Sequence, residues 1–266
     1  MRRLFNINPQ QIEKIGRNKH PACNGQFFST TIEDSRDKLI EQEASDTATI
    51  KIYTDGSGFQ GGSGAAAVMY INNIEQPANT LRYHLGSLTD HSTYGSKAVG
   101  LILAAWLLWS HCGARVGVDA ISIYTDCQST VSTVFDMKPG PGQYLFSVFH
   151  NLIAPFKDAG HNATKFNIRW ISAHSNVPGN EKVDEEAKLA AQGNSTPNFF
   201  LPLILCIRPL PIGKSSLLQL AKEQCTAEWK EMWSTSPQRK KLKKIDKDFP
   251  LKKFGKLAST LTTMSN

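Results

Sequence analysis

The chain has 266 residues, of which 40% are hydrophobic, so it can bury a sizeable core as one domain with extensions or as two small domains. It lacks a run of about 18 apolar residues, a signal-peptide core and any CxxC pair among its five cysteines, which favours a soluble intracellular protein without a disulfide framework or zinc site. The net charge of +7 is concentrated in residues 201–266, where 13 Lys/Arg face 5 Asp/Glu, and this asymmetry indicates contact with a polyanion such as nucleic acid.

Residues 1–47 show little hydrophobic periodicity, and we predict a poorly structured leader in which only residues 31–45 suit a short charged helix. Three antiparallel strands are predicted next, at residues 50–54, 65–71 and 80–85, with glycine- or asparagine-containing turns between the first strands. The first strand ends on Asp55, and the following stretch Gly56-Ser57-Gly58 would let another molecule approach the backbone closely. An isolated Asp-Gly pair more often starts a turn, so this stretch alone does not indicate a site.

Helices then alternate with strands. A buried stripe predicts a helix over about residues 92–110, and residues 120–126 form a second alternating strand that also ends on Tyr-Thr-Asp. The remaining predicted elements are helices at 127–135 and 144–156, a strand at 166–171 and a helix that starts at Pro178. The predicted order is βββαβααβα, which is an α/β pattern.

The predicted order of strands and helices would bring three carboxylates into one site. Asp55 and Asp126 end two strands that would lie side by side, and Asp184 lies one turn into the last helix. Like charges this close repel by several kcal/mol, which a divalent cation would relieve, and all-oxygen ligands favour Mg²⁺ or Mn²⁺. His174, in the loop before that helix, is a candidate for moving protons, although a loop histidine is more often only a solvated surface residue.

The motifs at 53–58, 124–128 and 170–184 together resemble the type-1 ribonuclease H domain. The version is similar to the one carried by LINE-type (non-LTR) retrotransposon polyproteins, as found in fungi. The resemblance implies a ribonuclease H-like fold: a five-stranded mixed sheet of three antiparallel strands and then parallel strands, flanked by helices. We accordingly predict a ribonuclease H-like domain at 48–193 and, at 194–266, a linker and a basic helical tail.

The same resemblance implies hydrolysis of the RNA strand of an RNA/DNA hybrid with two Mg²⁺ ions. Asp55, Asp126 and Asp184 would be catalytic metal ligands, and His174 would be the mobile proton carrier. Contacts to the minor groove of the hybrid, where the 2′-hydroxyls distinguish RNA from DNA, are implied for Ser57, Gly58 and Gln128. No small-molecule cofactor and no membrane partner are expected.

One position departs from the family pattern. Aligning residues 91–101 with the family's first helix places Lys97 where the family has a catalytic glutamate. We therefore expect impaired activity, and the alternative is a catalytically inactive, nucleic-acid-binding remnant of a retrotransposon. A weaker alternative is a nuclease of the same fold with another nucleic-acid substrate, such as an integrase-like enzyme.

Overall fold

The computed structural model describes residues 8–17, 28–33, 35–113, 120–158, 165–173, 175–206 and 209–237. The chain divides into two compact units, with the boundary after Leu217. The first unit contains a mixed sheet, and the second begins within the last helix. None of the helices in these ranges is long and apolar enough to cross a membrane.

In the described residues, six strands form one sheet. They are β1 (Ser29–Thr31), β2 (Ile50–Phe59), β3 (Gly62–Ile71), β4 (Asn79–Ser87), β5 (Ala120–Thr125) and β6 (Lys165–Trp170). Across the sheet their order is β1-β6-β5-β2-β3-β4. β2 pairs antiparallel with β3 and β3 with β4, whereas the pairs β2–β5, β5–β6 and β6–β1 are parallel.

Helices cover both faces of the sheet. They are α1 (Arg36–Ala44), α2 (Thr93–Cys112), α3 (Gln128–Phe135), α4 (Gln143–Asp158), α5 (Pro178–Ala191), α6 (Leu203–Cys206) and α7 (Lys214–Thr235). Alternate residues of β3 face opposite sides of the sheet. Ala65 and Ala67 belong to the core shared with α2, α3 and α4, whereas Ala66 and Val68 pack with α5.

This architecture confirms the predicted α/β fold class, but the sheet has six strands instead of five. The sixth strand, β1, lies in the stretch predicted as a poorly structured leader, and α1 forms within residues 31–45 as expected. β1 has only three residues, so it is too short to show the alternation by which strands are predicted, and its pairing with β6 is a long-range contact. The basic run at 239–244 lies outside the described residues.

The glycines after Asp55 lie within a strand rather than in a turn. β2 continues to Phe59, and the reversal into β3 takes place at Gln60 and Gly61, both with positive φ. A Cβ on Gly56 would lie 2.3 Å from the backbone nitrogen of Lys97, and one on Gly64 would lie 2.1 Å from that of Ala191. The glycines are therefore needed because α2 and α5 pack directly against the strand backbone.

Candidate active site

The sheet places two of the predicted site residues side by side. β2 and β5 are adjacent and parallel, with Thr54 opposite Thr125, so the next residues, Asp55 within β2 and Asp126 just after β5, come together where the pairing of the two strands ends. The Thr54 hydroxyl donates a hydrogen bond to the Tyr124 carbonyl at 3.2 Å, which ties the two strands to each other at this point. The expectation that these two acids would be neighbours is thus met by the strand order.

Lys97 lies between the two carboxylates. Its ammonium donates to Oδ1 of Asp55 at 2.9 Å and also to Oδ1 of Asp126. The exposed fractions of the three side chains are 18% for Lys97, 9% for Asp55 and 16% for Asp126, so the triad is largely shielded from water. The residue that sequence comparison singled out as a departure is therefore the residue that joins the two acids.

Burial and charge shift the pKa values of this triad in defined directions. Burial, reinforced by the Asp126 carboxylate, raises the pKa of Asp55 to about 6, although the Lys97 ammonium opposes this shift. Burial by itself would lower the pKa of Lys97, but the carboxylates of Asp55 and Asp126 outweigh it and raise that pKa. Lys97 consequently carries a full positive charge at neutral pH.

Asp184 is paired with a lysine of its own helix. Its carboxylate accepts a hydrogen bond from Lys188, one turn further along α5. That hydrogen bond raises the pKa of Lys188, although burial opposes the rise. The negative charges of Asp55 and Glu181 raise this pKa further, so the Lys188 ammonium is close enough to Asp55 to interact with its charge. Sequence reasoning missed Lys188, although the i,i+4 spacing from Asp184 was a usable signal.

The predicted nucleic-acid contacts lie beside these acids in the chain. Ser57 is partly buried and Gly58 exposed, two and three residues after Asp55, and Gln128 is exposed at the first position of α3. All three have surface available to a ligand. His174, the predicted proton carrier, lies outside the described residues.

The arrangement does not fit a divalent metal ion as it stands. Mg²⁺ is held by oxygens at about 2.1 Å and needs several of them around one point. Oδ1 of Asp55 and Oδ1 of Asp126 instead converge on the Lys97 ammonium, and Asp184 pairs with Lys188. Across the described ranges, no group of three or more His, Cys, Asp or Glu side chains is placed to share a metal.

Comparison with known proteins gives one family match. The family model for RNase H matches residues 47–192, more than half of the chain. No curated protein matches the sequence significantly.

Several solved structures are similar to part of the chain. The N-terminal RNase H domain of a Mycobacterium tuberculosis protein, solved as a fusion with maltose-binding protein, is 17% identical with a TM-score of 0.42, and the match covers 55% of this chain and 98% of that one. LC11 RNase H1, isolated from compost by metagenomics and solved in complex with an RNA/DNA hybrid, is 16% identical with a TM-score of 0.43, covering 54% and 97%. RNase H1 of the halophilic archaeon Halobacterium salinarum is 14% identical with a TM-score of 0.39, covering 55% and 98%.

Proposed function

The chain belongs to the RNase H family, and from this premise we propose that it binds RNA/DNA hybrids but cleaves their RNA strand poorly. The observation that carries the proposal is the position of Lys97, whose ammonium pairs with both Asp55 and Asp126. The family generally uses divalent metals held by acidic residues. Here the two neighbouring acids already have a cation from the chain itself.

Binding is supported by residues that Lys97 does not engage. Ser57, Gly58 and Gln128 match the family positions that approach the minor groove, and all three have accessible surface next to the acids. Backbone and amide groups of this kind can recognise the 2′-hydroxyls of an RNA strand without any metal. The sequence therefore retains the features for hybrid recognition while the hydrolytic centre is altered.

A second candidate is slow hydrolysis of the hybrid. It is favoured by the retention of Asp55, Asp126 and Asp184 and by the length of the Lys97 side chain, which is 18% exposed and can extend towards solvent. With Lys97 displaced, the three aspartates would be the ligands of Mg²⁺ or Mn²⁺, whose chemistry is to activate water and stabilise the leaving oxygen. His174 would then carry protons near the leaving group.

An origin in a LINE-type retrotransposon of the fungal kind is part of the proposal. It rests on the resemblance of the motifs at 53–58, 124–128 and 170–184, and on the tail from residue 201, which looks like the segment that follows this domain in such polyproteins, including residues 229–233 and 236–239.

The test is binding and cleavage of a labelled RNA/DNA hybrid by the full chain, with double-stranded DNA of the same sequence as the reference. We expect the hybrid to bind more tightly than the DNA duplex in both the wild type and Asp126→Asn. Cleavage in Mg²⁺ or Mn²⁺ should be slow or absent in the wild type, and Asp126→Asn should abolish whatever remains. Equal affinity for hybrid and DNA duplex would overturn the binding assignment, and rapid wild-type cleavage would overturn the impairment.

A further inference from the structure

We propose that Lys97 closes the carboxylate pair of Asp55 and Asp126 to divalent cations and serves as the permanent cation of this site. The inference deepens the proposed function, because it concerns the same site, and its nucleic-acid part rests on that function. Its main test requires no nucleic acid, so the two can fail separately.

Lys97 competes with a metal ion for the same oxygens. A metal shared by the two acids would have to be held by their facing carboxylate oxygens, and Oδ1 of Asp55 and Oδ1 of Asp126 both already accept hydrogen bonds from the Lys97 ammonium. An ammonium tethered to the same chain is present at a high effective concentration, whereas a dissolved ion must be recruited and partly dehydrated. The tethered cation therefore holds the position.

The close packing of α2 on β2 keeps the helix from withdrawing to make room. The backbone of Ser96 and Lys97 lies directly against Gly56 of β2, and Gly100 lies against the Asp55 carbonyl, with 3.1 Å to a Cβ built at Gly100. Because both contacts join backbone to backbone, only rotation of the Lys97 side chain could open the pair. That rotation would leave two largely buried carboxylates facing each other without a counter-ion.

Thermal unfolding in EDTA and in excess Mn²⁺ tests the inference. The wild type should unfold at the same temperature in both, and so should Lys97→Arg, which keeps a positive charge, and Lys182→Met, a control that removes a surface lysine paired with Glu186. Lys97→Met keeps the length of the stem and loses the charge. Its Tm should fall by on the order of 5–10 °C in EDTA and recover most of that loss in Mn²⁺.

Direct Mn²⁺ binding to the wild type, followed by electron paramagnetic resonance, keeps the inference testable if Lys97→Met does not fold. We expect the wild type and Asp126→Asn to show the same weak, non-specific binding. Mn²⁺ binding to the wild type that Asp126→Asn removes would overturn the inference, as would equal Mn²⁺ stabilisation of the wild type and Lys97→Met.

The nucleic-acid part is tested by the affinity of the wild type for the hybrid. Since the site supplies its own cation, the affinity should be the same in EDTA and in Mg²⁺ at matched ionic strength. An affinity lost in EDTA would contradict the role of Lys97. A wild type that never prefers the hybrid would contradict the proposed function instead, while the unfolding experiment would still decide the cation inference.

Discussion

At the scale of single residues, the positive charge of Lys97 decides which cation the two neighbouring aspartates hold. Asp55 and Asp126 are neighbours where the pairing of the parallel strands β2 and β5 ends, a geometry suited to sharing a cation. Lys97 contributes that cation as part of the chain itself, from the position that the motif resemblance aligns with a glutamate of the family. One side chain therefore sets both the charge of the site and the room in it.

If the proposed function is correct, replacing Lys97 by glutamate should increase hydrolysis. We expect Lys97→Glu to raise Mg²⁺-dependent cleavage of an RNA/DNA hybrid by well over about tenfold, because it removes the competing ammonium and adds an oxygen ligand. Initial cleavage rates of the wild type and the variant give the ratio. The double variant with Asp126→Asn is the control and should be inactive, and an unchanged rate in Lys97→Glu would show that position 97 is not the defect.

At the scale of elements, periodicity predicted most of the fold. The helix α2 and the strands β2, β4, β5 and β6 lie close to their predicted positions, because apolar spacing marks them in the sequence. In the structure β4 and β6 alternate in burial as expected, whereas β2 and β5 are buried at consecutive positions. The glycines between the first two predicted strands were placed outside them, but β2 continues to Phe59 and β3 begins at Gly62. Glycine signals a turn and a close helix contact equally well. β1 was missed because three residues carry no measurable period.

α1 adds a polar network to one face of the sheet. The Tyr53 hydroxyl donates a hydrogen bond to the Glu43 carboxylate, and the Tyr124 hydroxyl donates to Asp46 at 2.6 Å. The two rings stack with centroids 5.0 Å apart. Burial, and then the nearby Glu43 carboxylate, raise the pKa of Tyr53 far above its usual range, and burial likewise raises the pKa of Tyr124.

This network predicts a loss of stability in alkali. A folded-state pKa above the unfolded value of about 10 stabilises the fold below that pH, and the contribution disappears as the pH rises above it. Tyr53→Phe should lower the unfolding free energy at neutral pH by about 1.5–3 kcal/mol, since a hydrogen bond to a charged group is lost. Between about pH 9 and 11 its Tm should decline less steeply than that of the wild type, and parallel Tm curves would contradict the assignment.

The Glu13 carboxylate accepts hydrogen bonds from the backbone at the starts of two helices. The buried carboxylate accepts a hydrogen bond from the Gly142 nitrogen at 2.7 Å, just before α4, and another from the Lys214 nitrogen at 2.6 Å, at the start of α7. Its own backbone nitrogen donates to the Ile212 carbonyl at 3.0 Å. A segment predicted as unstructured leader thus contributes a charge where two positive helix ends meet.

Neutralising the Glu13 carboxylate should destabilise the first unit. Glu13→Gln keeps the size of the side chain but removes the charge that faces both helix ends, and we expect the unfolding free energy to fall by about 1–3 kcal/mol. Denaturant unfolding of the full chain measures the change. The exposed Glu41 offers a matched control, since Glu41→Gln should have almost no effect.

At the scale of the whole molecule, the order of the motifs predicted where the acids of two strands meet, but not their partners. The sequence places Asp55 and Asp126 at strand ends, and parallel pairing brings them together. The direction of the Lys97 side chain depends on how closely α2 packs on Gly56, which no local pattern encodes. The pairing of Asp184 with Lys188, by contrast, follows an i,i+4 spacing that is visible in the sequence.

The distribution of charge over the molecule predicts how binding responds to salt. Residues 236–266, which follow α7, hold nine Lys/Arg and two Asp/Glu, an excess equal to the +7 of the entire chain. If these residues contact phosphates, each contact adds about 0.9 to the slope of log affinity against log salt, so deleting the segment should flatten that slope and weaken hybrid binding mainly at low salt.

Titrations of a labelled hybrid at several salt concentrations, with the full chain and with a chain ending at Thr235, measure this slope. A full-length variant with Gln in place of the five basic residues Arg239, Lys240, Lys241, Lys243 and Lys244 separates charge from length. We expect this variant to show a smaller slope than the full chain, because each basic residue that is replaced lowers the number of counter-ions released when the hybrid binds. Identical slopes for all three proteins would mean that hybrid binding depends on the RNase H domain alone.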